Sequence, residues 1–208
     1  MSGLAGHLPS LTESWKLSFG ELKKILSLSS QGKLEFTEKV DGANAYFSFH
    51  DGKGYISRNK SDVVSGGKDI EGLKQREFAG GEKIKETFIN ALKSFEDAIR
   101  NSLSTKEISK LFENGTIFYN AEIFGPSMVN VINYDKDSIS FHNTGHIKIT
   151  EDKKIIPLDS LTTSSLLDKL VKREESKEKP GKFSIHKDAI IKLKELNKDK
   201  DLNIAKIK

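Results

Sequence analysis

The chain has 208 residues, 36% hydrophobic and 31% charged, a length that suits one large domain or one domain with a tail. It holds no cysteine and no apolar run long enough to span a membrane, which excludes disulfides, thiolate metal sites and a transmembrane helix; a reducing cytoplasm, the host's for a viral protein, is the expected compartment. The net charge of +4 is the remainder of 34 basic and 30 acidic residues, and it permits nucleic-acid binding without arguing for it, because a local basic face matters more than the sum.

The opening residues Met1–Gly6 lack the basic flank and apolar core of a signal peptide. Ser18 and Glu21 have capping-box spacing and predict a helix whose apolar face is Leu22, Ile25 and Leu26. After Gly32 the pattern turns to short β-like runs, first Leu34 to Phe36. Ala45, Phe47 and Phe49 then alternate with Tyr46, Ser48 and His50, the period-two signature of a half-buried strand. Asp51-Gly52 is a turn dipeptide leading to a second strand near Gly54 to Ser57, which predicts a hairpin.

A short helix is predicted around Ile70 to Phe78, interrupted by Gly80-Gly81. Ile84, Phe88, Ala91, Leu92, Phe95 and Ile99 fall at the three- and four-residue steps of one buried stripe, so the next helix is long and amphipathic. Ser104 and Glu107 form a second capping box, opening a helix that stops before Asn114-Gly115. Thr116 to Phe124, Met128 to Asn133, Ser138 to Phe141 and Ile147 to Thr150 read as strands separated by Pro and Asn/Asp turns. The order of strands, helices and strands predicts an α+β domain built on antiparallel sheets. Past Pro157 come a helix over Leu161 to Val171, a charge-dense hinge over Lys172 to Lys182, and a Lys-rich helix over Asp188 to Leu196. The division read from this is a core over 1–157 and a helical, Lys-rich extension over 158–208, with no internal repeat.

The chemistry centres on Thr37-Glu38-Lys39-Val40-Asp41-Gly42-Ala43-Asn44. A protonated lysine is a poor nucleophile, and burial or a nearby cation must lower its pKa before it attacks anything. Lys39 follows a short apolar run and precedes a tight Asp-Gly turn, a setting that partly desolvates an amine, and Gly42 lets backbone approach a ligand. The three fixed letters of Lys-x-Asp-Gly are a weak signal in a chain this rich in lysine, and a charged surface turn is the competing reading.

Glu38-Lys39-Val40-Asp41-Gly42-Ala43-Asn44 resembles motif I of the ATP-dependent ligase and capping-enzyme superfamily, most closely its RNA-ligase branch, where a Glu precedes the lysine and an Asn follows the Gly by two. Ser57-Arg58-Asn59 falls where that family carries an arginine contacting the nucleotide or the polynucleotide. Asn120-Ala121-Glu122-Ile123-Phe124-Gly125-Pro126 resembles motif III, a strand bearing a carboxylate, and Phe141, with His142 beside it, stands where an aromatic stacks on the purine. Gly6-His7-Leu8-Pro9, Asn130 to Tyr134 and Thr144-Gly145-His146 are similar to a group of large-phage proteins described as ligases or nucleotidyltransferases.

The resemblance implies a nucleotidyltransferase (ligase adenylation) core, two antiparallel sheets flanked by helices with a nucleotide pocket between. It implies ATP and Mg²⁺ as cofactors, Lys39 as nucleophile, and Glu38, Asp41, Gly42, Asn44, Arg58, Glu122 and Phe141 around the nucleotide. Glu122 is then the ligand of the ribose hydroxyls or of hydrated Mg²⁺, and the partner is nucleic acid, a nicked duplex or RNA ends. A non-catalytic nucleic-acid-binding module with the ligase fold and a capping-type guanylyltransferase are the alternatives. Read from the residues alone, Glu122 is also compatible with a structural strand carboxylate, Arg58 with a solvated hairpin residue, Phe141 with a core residue and Asn44 with a turn; His7, His142 and His146 have no metal-binding spacing. The family's motif IV, Glu-Gly-x-Val, is missing. Lys206-Ile207-Lys208 has the letters of motif V but reads as a Lys-rich tail. The expectation is a core incomplete at its C-terminus, a fragment rather than a short inactive member.

Overall fold

Asp51 and Gly52 both adopt left-handed backbone, φ 48° and 72°, and so form the two-residue turn whose twist matches that of the strands it joins. Those strands are β2 (Ala43–His50) and β3 (Lys53–Ser57), paired antiparallel from Tyr46–Ser57 to His50–Lys53. The computed structural model describes residues 16–37, 40–128, 132–158, 160–175, 182–188 and 190–192. The chain divides into two compact units, Met1–His7 with Val40–Lys187, and Leu8–Lys39 with Asp188–Lys208.

The larger unit is a sheet of order β3-β2-β4-β5-β8, completed by β4 (Ile117–Phe124), β5 (Ser138–Phe141) and β8 (Ser184–Lys187). The first four strands pair antiparallel, while β5 and β8 run parallel. The N-terminal end of β4 pairs instead with β6 (Ile147–Ile149), which pairs with β7 (Ile155–Pro157). Five helices complete the unit: α2 (Lys60–Val64), α3 (Ile70–Gln75), α4 (Gly81–Ser102), α5 (Thr105–Phe112) and α6 (Ser160–Glu175). The architecture is mixed α+β, and the parallel β5–β8 pair departs from the expected all-antiparallel arrangement.

One face of this sheet is the core. Ala45, Phe47 and Phe49 of β2, Tyr119, Ala121 and Ile123 of β4, and Ile139 and Phe141 of β5 are buried against the α4 stripe. Phe95 of α4 packs its ring 5.0 Å from Phe47 and 6.1 Å from Phe141. Burying aromatic side chains of this size contributes on the order of 2–3 kcal/mol each, which outweighs any local preference for another arrangement. Both predicted capping boxes form, Ser104 with Glu107 at the head of α5 and Ser18 with Glu21 at the head of α1 (Phe19–Ser30) in the smaller unit.

Three expectations are corrected. Leu167, Leu170, Val171, Phe183 and Ile185 join the same core, so residues through Lys187 belong to the large unit and the boundary does not fall at 157. Within the helix expected over Asp188 to Leu196, the described residues Ile190–Lys192 instead form β9, paired antiparallel with β1 (Glu35–Thr37), while residues 189 and 193–196 lie outside the described residues; two adjacent β-branched residues suit a strand, and the ladder overrides the weak helical pattern of lysines. Met128, Ile132 and Asn133 of the expected strand 128–133 are not in a strand, while Val129 to Val131 lie outside the described residues. Among the described residues no helix is long and apolar enough to cross a membrane.

Candidate functional site

Because residues alternate between sheet faces, the side chains that the core leaves behind in β2, β4 and β5 collect on the other face. Register makes this specific. Asn44 pairs with Glu122, Glu122 with Ser140, and Ser140 with His186, a polar row running across four strands. A second row sets Ser57 opposite Tyr46 and Tyr46 opposite Asn120. Toward the hairpin this face is closed by a small apolar cluster of Tyr46, Val63, Phe118 and Ile147.

Glu122 is the chemical centre of the face. It is 5% exposed, and its Oε2 has no hydrogen-bond partner among the described residues. Its Oε1 lies 3.8 Å from His142 Nε2, too long for a direct hydrogen bond and right for an ion pair when the imidazole is protonated. The Asn44 amide donates to Asn120 Oδ1 at 2.7 Å, which fixes its orientation beside the carboxylate. A buried carboxylate oxygen without a donor is costly, and such a group in a native fold calls for a ligand or water that satisfies it.

Arg58 directly follows β3 and presents its guanidinium 4.9 Å from the centroid of the Phe88 ring. It makes no ion pair among the described residues. Arg58 keeps solvent contact, yet burial of its charged end is the largest influence lowering its pKa, followed by the neighbouring Arg76; Glu122 and Asp62 act in the opposite direction. Arg76 is itself occupied: it pairs with the Asp62 carboxylate and lies 5.6 Å from the centroid of Phe78. The result is a planar cation held on the Phe88 ring, its charge without an ion-pair partner among the described residues.

Of the predicted residues, Asn44 and Glu122 are brought together across β2 and β4, while the Arg58 guanidinium lies over Phe88 of α4, on the side that carries the core. Asp41 lies two residues before β2, where its N–H donates to the Tyr134 hydroxyl at 2.9 Å. Gly42 has a different role from the one expected: a Cβ there would come within 2.5 Å of the Ile123 carbonyl oxygen, so the close approach it allows is to β4 rather than to a ligand. Phe141 is corrected too. It is 0% exposed on the core face, with its ring 5.8 Å from Phe47, and it does not share the polar face with Glu122. Glu38 and Lys39 lie outside the described residues.

The residues that sequence reasoning passed over are His142, Asn120, Ser140 and Arg76. Alternation was the available signal for the first three. In Ser138-Ile139-Ser140-Phe141-His142 the apolar residues take one parity and the polar residues the other. Among the described residues no group of three or more His, Asp or Glu is arranged to hold a metal. Two open grooves at the hairpin end, of about 900 and 530 Å³, are lined by none of the predicted residues. No protein-family model matches the chain, and no curated protein matches it.

Proposed function

We propose that the chain is the nucleotide-binding part of a polynucleotide ligase-type nucleotidyltransferase. The observation that carries this reading is the Asn44–Glu122 pair: two residues from separate motifs, opposed across neighbouring strands on a polar face, with one buried carboxylate oxygen that has no hydrogen-bond partner among the described residues. Arg58, a guanidinium with no ion pair among the described residues, adds the cation that a nucleotide's phosphates require.

In this reading ATP is the substrate. The neutral Lys39 amine attacks the α-phosphorus; an Nζ–P bond forms, the bond to the bridging oxygen breaks, pyrophosphate leaves, and the nitrogen loses a proton. Glu122 accepts hydrogen bonds from the ribose hydroxyls, Asn44 holds the sugar or phosphate edge, and Arg58 faces the phosphates. Mg²⁺ supplies charge neutralisation on the phosphates. The nucleotide then passes to the 5′-phosphate of a nucleic acid, and a 3′-hydroxyl displaces AMP to seal the strand.

Incubation of the full-length protein with labelled ATP and Mg²⁺ tests the reading. A covalent adduct that is stable to alkali, labile to acid and lost in Lys39→Ala supports it, and its absence overturns it. Labelling by GTP in place of ATP converts the assignment to a capping-type guanylyltransferase.

A further inference from the structure

Strand β4 changes partners on one side partway along its length. It pairs with β6 over Ile117 and Phe118 and with β5 over Ala121 to Phe124, which leaves Tyr119 and Asn120 at the fork. Continued by one residue, the β4–β5 ladder would set Asn120 opposite His142, and a hydrogen-bonded pair of that kind exchanges two backbone bonds. The His142 N–H does donate to the Asn120 carbonyl at 3.0 Å. The Asn120 N–H goes elsewhere: it donates to Nδ1 of His146 at 3.1 Å.

The surroundings fix the imidazole in this place. His146 is buried, its ring centroid stands 4.9 Å from that of Tyr119, and its carbonyl accepts the Leu158 N–H at 2.9 Å. An imidazole nitrogen accepts a hydrogen bond only when it bears no proton, so this ring is neutral and carries its proton on Nε2. Asn120, buried as well, is thereby held through both of its main-chain groups. Its side chain stands on the polar face, where Oδ1 accepts the Asn44 amide at 2.7 Å from the diagonal position on β2. Asn44 is the direct partner of Glu122. A path of hydrogen bonds thus runs from His146 through Asn120 to the amide beside the carboxylate.

We propose that His146 is a positioning residue for the nucleotide face: by accepting the Asn120 N–H it fixes Asn120 and, through it, the Asn44 amide beside Glu122. What the face binds rests on the ligase reading above, whereas the hydrogen-bond path stands without it. Without the imidazole a buried N–H at the fork loses its acceptor, and the strand must shift to find another. With it, Asn44 spends one N–H on Asn120 and keeps its carbonyl oxygen and second N–H for a ribose hydroxyl or a phosphate.

Variants of the full chain test it. His146→Leu fills the space without an acceptor, while His146→Asn places its amide oxygen where Nδ1 stands, bonded to Cγ. Asn44→Ala removes the last member of the path. The side-chain amide resonances of Asn44 are recorded without nucleotide, and the Kd for ATP with Mg²⁺ is measured for each protein. The expected result in His146→Leu is displaced Asn44 resonances and a Kd raised about 3- to 10-fold, the weight of one hydrogen bond. In His146→Asn both return most of the way to wild type. Added to Asn44→Ala, His146→Leu should change the Kd by less than about 2-fold, because the path it acts through is gone. Unmoved Asn44 resonances or a wild-type Kd in His146→Leu overturn the proposal. So does an asparagine variant no better than leucine, or a full additional loss in the double variant. If His146→Leu does not fold, His146→Gln, whose amide oxygen lies one bond further out, is compared with His146→Asn in its place. A wild-type chain that binds no ATP overturns the ligase reading, and the Asn44 resonances still decide whether His146 positions the amide.

Discussion

Glu122 and His142 approach to 3.8 Å on the polar face of the sheet, each of them 5% exposed or less. A carboxylate sealed from water in this way lowers stability unless something completes its hydrogen bonds. His142 stands at ion-pair distance from Oε1, and Oε2 has no hydrogen-bond partner among the described residues.

Glu122→Gln therefore separates stability from binding. The substitution removes a buried charge with an unsatisfied oxygen, so the apo protein is expected to keep or slightly raise its thermal midpoint. Stabilisation by ATP with Mg²⁺, worth about 2.7 kcal/mol at a hundredfold excess over Kd in the wild type, should fall to near zero. Thermal melts with and without nucleotide check both halves. A variant less stable than wild type but still stabilised by ATP would mean that the carboxylate is structural.

Phe141 behaves as the opposite case. Its ring fills the core between Phe47 and Phe95, so Phe141→Ala is expected to cost about 3–5 kcal/mol and Phe141→Leu about 1.5 kcal/mol or less. With the core largely kept, the leucine variant should retain nucleotide-dependent stabilisation. Denaturant titration gives the first quantity and a nucleotide melt the second. Loss of nucleotide response in a well-folded leucine variant would return Phe141 to the binding site.

Gly42→Ala is a steric test of the β2–β4 junction. The added methyl would meet the Ile123 carbonyl oxygen, which is backbone and cannot swing aside. The expected cost is about 1–3 kcal/mol, as for other overpacked sites. A midpoint equal to the wild type's would show that β2 enters the sheet by another path.

Much of this fold is readable from local chemistry. The capping boxes at Ser18 and Ser104, the Asp51-Gly52 turn and the α4 stripe each depend on residues within a few positions of one another, and each forms. The polar face is different. Asn44 meets Glu122 through strand register between distant segments, and no local pattern fixes which strands become neighbours. The side of the sheet taken by Phe141 was nevertheless legible, since its parity matches Ile139 and not Ser140. The parallel β5–β8 pair and the β1–β9 pair were not. Both are long-range pairings of strands only 3–4 residues long, and segments that short carry little periodicity.

Asp62 organises the basic corner formed by Arg58 and Arg76. Its Oδ2 takes the Arg76 guanidinium, the Asn59 amide at 3.1 Å and the Arg58 N–H at 3.4 Å, three donors on one nearly buried atom. Asp62→Asn keeps the shape and removes the charge. It is expected to cost about 1–3 kcal/mol, because Arg76 is left half-buried without its counter-ion. Combining it with Arg76→Met, which removes the stranded cation, should recover part of that loss in denaturant melts. Strictly additive losses would mean that the pair contributes no coupling.

Glu107 gives the fold a defined acid response. Its carboxyl is held down from an ordinary 4.5 to about 2, first by the hydrogen bond from Lys169 of α6, then by the Ser104 backbone and hydroxyl of its own capping box. A carboxylate whose folded pKa is depressed binds fewer protons in the native state than in the unfolded chain. The stability it contributes is therefore complete above about pH 4.5, and it is lost as the pH falls toward 2. Glu107→Gln keeps a side chain that can still close the capping box while removing the charge that Lys169 meets. At neutral pH the variant should melt below the wild type, by a margin that narrows with added salt because the pair is partly exposed. Between pH 4.5 and 2 the two midpoints should converge as the wild-type carboxyl takes up its proton. Equal midpoints at every pH would show that the α5–α6 pair adds nothing to stability. A gap that persists down to pH 2 would assign its effect to packing or capping rather than to charge.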